Sequence, residues 1–99
     1  MNAEQEEALN RLIRIARSDT GQSRKVAAFL LSWWNARTCG GFDLTHLWAV
    51  DSAIAEDMIT VILMISEIHL YPDTLGFGPA FEALVEQWRP HLFQDGSHE

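Results

Sequence analysis

Apolar positions recur at helical spacing along most of this chain, and no stretch alternates with the period of two that marks a strand. The longest apolar block runs from Asp51 to Leu70. Ile54, Met58, Val61, Ile65 and Ile68 follow one another at steps of four, three, four and three, one stripe of a helix. Ile59, Ile62, Leu63 and Met64 widen that stripe until most of the circumference is apolar, the pattern of a central helix covered on more than one side. Asp51 is placed to cap its start. Tyr71-Pro72 ends it, because the residue before a proline avoids helical backbone. About twenty residues at 1.5 Å each give a rod of roughly 30 Å. Glu56, Asp57 and Glu67 leave no apolar run long enough for a membrane span.

Ala3 to Ser18 predicts a first helix, with Leu9, Leu12, Ile13 and Ala16 on one face and a Glu7–Arg11 pair on the other. Asp19-Thr20-Gly21 supplies turn chemistry, Gly21 being suited to the left-handed end of that helix. A second helix is expected over Gln22–Thr38. It carries two adjacent tryptophans, and neighbours on a helix sit about 100° apart. Trp33 and Trp34 are therefore not expected to face one partner squarely; either both pack in one broad interface or one reaches a second surface. Cys39-Gly40-Gly41 breaks this helix, with Gly40 or Gly41 at its C-terminal cap. Asp43 is placed to cap a short helix, Leu44–Val50, that turns Leu44, Leu47 and Trp48 inward.

The segment Tyr71–Gly78 is rich in turn residues and is expected to be a loop anchored by Leu75 and Phe77. Pro79 suits the first position of a final helix, Pro79–Trp88, with Phe81, Leu84, Val85 and Trp88 inward. Pro90 ends it, and Leu92 and Phe93 are expected to fold back. The fold expected is all-α: a compact bundle of four helices plus one short helix around the central helix at residues 51–70. Residues 1–93 form a single helical domain and residues 94–99 a flexible C-terminal tail.

Composition supports a folded domain, with 99 residues, 47% hydrophobic, and four tryptophans. Charge changes the picture more. The net charge is −7, yet residues 1–50 carry six Lys/Arg against five acids, whereas residues 51–99 carry Arg89 alone against nine acids. Such a half repels nucleic acid and anionic membrane and favours a protein partner with a basic surface. The bland alternative is a solvated acidic face that serves solubility. The lone Cys39 excludes an internal disulfide, and the N-terminus lacks the basic and apolar regions of a signal peptide. A cytoplasmic protein is expected.

Candidate chemistry is thin. Cys39 with His46 and Asp43 or Asp51 has the residue types of a thiol enzyme, but a lone cysteine at a helix end is more often a small packing residue. Asp43, His46 and Asp51, or Glu67, His69 and Asp73, contain metal-ligating types without the i,i+4 spacing of a metal site. His69 has a simpler role, offsetting the dipole at the end of the long helix. Leu75-Gly76-Phe77-Gly78 lacks the lysine and hydroxyl of a phosphate loop. Arg11, Arg14, Arg17, Arg24 and Lys25 make a basic surface, which the acidic half sets against tight nucleic-acid binding. That surface also complements the acidic half of a second copy, so a homodimer is a further candidate assembly.

Gly40-Gly41-Phe42-Asp43-Leu44-Thr45, Leu47-Trp48 with Asp51, Tyr71-Pro72-Asp73 with Leu75-Gly76, and Trp88-Arg89-Pro90 resemble a family of small proteins on proteobacterial plasmids and other mobile elements. The likeness covers roughly residues 8–90 and implies a context without an activity or catalytic residues. In size and charge the chain is similar, at the level of class, to anti-CRISPR proteins. The leading expectation is a small acidic non-enzymatic binding protein, an inhibitor that blocks a basic nucleic-acid-binding surface of a host defence complex. A type I CRISPR effector complex is its most specific candidate partner. Glu56, Asp57, Glu67, Glu82 and Glu86 are the expected contacting acids, with Trp33 or Trp34 as an aromatic anchor; no catalytic residue, metal or cofactor is assigned. The alternatives are a self-associating accessory subunit of a plasmid or phage system, using the Trp33/Trp34 face, and a small thiol or hydrolytic enzyme.

Overall fold

A computed structural model describes residues 1–94, so of the expected tail only Gln94 is included and residues 95–99 lie outside the described residues. The protein is all-α, with no strand among the described residues. Helices α1 (Ala3–Ala16), α2 (Gly21–Cys39), α3 (Ser52–Glu67) and α4 (Gly78–Trp88) are followed by a single turn, α5 (His91–Gln94). A 3-10 turn, Leu44–Trp48, stands between α2 and α3. Helix α1 packs against α2 and α3, and α2 packs against α4, so α1 and α2 form the inner pair with α3 and α4 outside.

Local chemistry explains the helix starts. Asn2 begins α1 with a reciprocal box, its Oδ1 accepting from the Gln5 backbone N–H at 2.7 Å while Gln5 Oε1 accepts from the Asn2 N–H at 3.0 Å. Thr20 caps α2, its hydroxyl accepting from the Ser23 N–H at 3.0 Å. Gly21 therefore starts the second helix instead of ending the first, and its φ is not positive. Gly40 does take the expected C-terminal position, at φ 101°.

The expectation of a central Asp51–Leu70 helix is corrected. Helix α3 stops at Glu67, with Ile68 already extended, four residues before Pro72. It buries one stripe, Ile54, Met58, Val61 and Met64, against the rest of the molecule. Ile59, Ile62 and Leu63 point outward, 48%, 37% and 56% exposed. The helix apolar on several sides is α2, whose buried Val26, Ala27, Phe29, Leu30 and Leu31 occupy adjacent positions that no single stripe contains. Asp51 stands at the start of α3 without a side-chain cap bond; Gln22 instead clamps it, accepting from the Asp51 N–H at 2.6 Å and donating to Asp51 Oδ2 at 3.4 Å.

Between α2 and α3 two of the three residues expected to point inward do not. Asp43 begins the 3-10 turn, as its position indicated, accepting from the Thr45 N–H at 2.9 Å and the Thr45 hydroxyl at 2.8 Å. Leu47 packs on the core, but Leu44 is 67% exposed and Trp48 86% exposed. Leu47 and Trp48 are consecutive on the 3-10 turn, about 120° apart, so turning Leu47 inward turns Trp48 outward. Leu75 and Phe77 anchor the 71–78 loop as expected, and Leu92 folds back on the core. Trp88 Nε1 donates to the Ala16 carbonyl at 2.8 Å, tying the end of α4 to the end of α1.

Candidate functional site

The two tryptophans pack in one interface, the first of the two expected arrangements, although both meet the same ring. Phe81, fully buried on α4, meets the Trp33 ring edge-to-face at 5.7 Å and the Trp34 ring in a stacked arrangement, also at 5.7 Å. One ring of that size offers two partners to neighbours about 100° apart, an edge contact and a face contact. Both tryptophans are half-buried, and Trp33 Nε1 donates to the Leu70 carbonyl at 3.3 Å.

Immediately after them the helix kinks. Asn35 leaves helical backbone at φ −167°, ψ 88°, and its side chain accepts from the Thr38 N–H at 3.2 Å, capping the last turn of α2 as a separate segment. The kink opens a cleft of about 700 Å³ lined by Trp33, Trp34, Asn35, Arg37, Tyr71 and Asp73. A second cleft of about 250 Å³ continues from Trp33 and Tyr71 to Ile65, Ile68 and Leu70 at the end of α3. Tyr71, 65% exposed, and Asn35 were missed as parts of this surface. An asparagine inside an apolar helical block was the available signal, since its side chain competes for backbone N–H groups.

The five acids expected to meet a partner do not behave alike. Asp57 is committed inside the molecule: Arg11 Nε donates to its Oδ2 at 2.8 Å and Arg11 Nη2 to its Oδ1 at 2.9 Å. That bond and the Asp57 charge hold the Arg11 pKa above its ordinary value. Arg11 thereby points to α3 and not to Glu7, the partner helical spacing suggested. Glu56 and Glu67 are exposed on α3, Glu82 and Glu86 on α4, and none has an ion-pair partner among the described residues. The helices that carry them pack on different members of the inner pair, α3 on α1 and α4 on α2.

The chemistry weighed for catalysis does not assemble. Cys39 is 5% exposed, and its Sγ is met by the Thr38 hydroxyl at 3.9 Å. His46 packs edge-on against Phe42 at 5.6 Å, with a buried Nδ1 that has no hydrogen-bond partner. No group of three potential metal ligands occurs among the described residues, so neither set of acids and histidine converges. His69 does sit at the end of α3, where Nε2 in its protonated tautomer donates to the Ser66 carbonyl at 3.1 Å.

Fold and surface together define a small all-α protein with an inner helix pair, an aromatic cleft at a helix kink and an apolar outer face on α3. Among the described residues no helix is long and apolar enough to cross a membrane. The chain belongs to the Family of unknown function (DUF7673), whose model matches residues 6–89. No curated protein and no solved structure matches it.

Proposed function

We propose that this chain is a non-enzymatic acidic binding protein that occupies a basic, nucleic-acid-binding surface of a partner protein and so blocks it. Arg89 is the residue on which this rests. It is the one base in residues 51–99, and it is turned inward, half-buried, with Nε donating to the Cys39 carbonyl at 2.9 Å and Nη1 to the Trp88 carbonyl at 2.9 Å. Apart from Arg11 of α1, which pairs with Asp57, no cation answers the carboxylates of α3 and α4 from that pair, and the exposed ones have no lysine or arginine on their own helices; such a field attracts cationic surfaces and repels polyanions. Size, acidity and helical class make an inhibitor encoded by a mobile element, of the anti-CRISPR type, the specific form of this proposal, with a type I effector complex as the candidate target.

A tagged pull-down from a CRISPR-bearing bacterial lysate, eluted in salt steps, tests it. The expected result is a nucleic-acid-handling complex that releases as salt rises and that no longer binds its nucleic acid while the protein is present. Recovery of a complex that still binds its nucleic acid would remove blocking. Recovery of the protein alone would favour the self-associating accessory subunit.

A further inference from the structure

We infer that the outer face of α3 is the docking site for an amphipathic α-helix of the partner, apolar along one stripe and edged with lysine or arginine. This rests on the basic-partner reading above and names the surface that meets it. Ile59 and Leu63 are one turn apart and Ile62 lies beside them, so the three exposed side chains form a continuous apolar stripe. They sit on a rigid helix whose opposite stripe, Ile54, Met58, Val61 and Met64, is locked into the core. Helical spacing puts Glu56 and Glu67 along one edge of this stripe, beyond Leu63, about 16 Å apart at 1.5 Å per residue.

Charge chooses the occupant. Helix α3 carries Glu56, Asp57 and Glu67 and no lysine or arginine; Arg11 neutralises Asp57 from the inner side and leaves the two glutamates open. A second copy offering its own α3 brings no countercharge, and in antiparallel register it sets Glu56 against Glu67. A helix with a matching apolar stripe and cations about three turns apart satisfies both the stripe and its acidic edge.

The test uses two synthetic helical peptides with one leucine stripe, the first edged with two lysines eleven positions apart and the second with glutamates there. Binding to isotope-labelled protein is followed by amide chemical shifts and fluorescence anisotropy. The lysine-edged peptide is expected to move α3 resonances around Ile59–Leu63 and to bind about tenfold more weakly to the Ile59→Asn/Leu63→Asn variant. Both substituted side chains are exposed, and circular dichroism checks that the variant stays folded. Glu56→Gln/Glu67→Gln is expected to flatten the salt dependence. Equal binding of both peptides would overturn the inference. Shifts centred on α4 or on the Trp33–Tyr71 cleft would overturn it too, while leaving a basic partner in place. No binding by the lysine-edged peptide on any face would count against both. Movement of α3 resonances with protein concentration alone would make a second copy the occupant.

Discussion

Asp43 shows how much a single short contact settles. The Thr45 hydroxyl, then the Thr45 backbone N–H, holds its carboxyl below the usual carboxylate range. A carboxyl whose folded pKa is depressed stabilises the fold above its unfolded pKa, and that contribution is lost as pH falls through the folded value. We expect Asp43 to titrate below an ordinary aspartate in a carboxyl NMR titration, and Thr45→Ala to move it upward, with the backbone bond preserving part of the depression. Trp88 gives a second case. Its indole N–H reaches the Ala16 carbonyl at 2.8 Å in a partly buried position. Trp88→Phe keeps a ring but deletes that donor, leaving the carbonyl poorly satisfied, and should lower stability by about 1–2 kcal/mol in urea melts. An unchanged midpoint would mean that water replaces the indole.

Among the elements, the turn after α2 separates two glycines that look alike in sequence. Gly40 has φ 101°, a conformation side-chain-bearing residues avoid, although a Cβ there would meet nothing within 4 Å. Gly40→Ala should therefore cost about 1–3 kcal/mol through backbone strain alone. Gly41 has equally open space without the positive φ, so Gly41→Ala should be neutral or stabilise by about 0.5 kcal/mol through the unfolded chain. Differential scanning calorimetry of the two variants decides between them. Helix order, most termini and the buried stripes of α1 and α4 were legible because spacing and caps are local properties. The role of α3 was not. A residue pattern records which positions are apolar; it does not record whether a neighbour arrives to cover them, and among the described residues Ile59 and Leu63 stay exposed. The kink at Asn35 left the apolar spacing around it undisturbed, so only the asparagine itself, whose side chain competes for backbone N–H groups, marked it.

Over the whole molecule, the asymmetry of charge was legible in the chain, but its active part was not. Arg11 and Asp57 are 46 residues apart, and only folding removes that pair from the surface field. Glu82 and Glu86, by contrast, stay exposed one turn apart on α4. For a partner drawn by long-range attraction, charges of these two kinds should separate kinetically. Glu82→Gln/Glu86→Gln removes two open charges, so its association rate with a basic partner should fall and become less sensitive to salt, with little change in dissociation. The double variant Arg11→Gln/Asp57→Asn keeps the net charge and removes a pair already neutralised. Its association rate should match the native protein while its melting temperature drops. Stopped-flow association at several ionic strengths, beside thermal melts, separates the two. If both variants associate at the native rate, attraction by the α4 acids is not what brings the partner in. Recognition would then rest on α3, where the apolar stripe sets dissociation and the exposed Glu56 and Glu67 edge carries the remaining salt dependence.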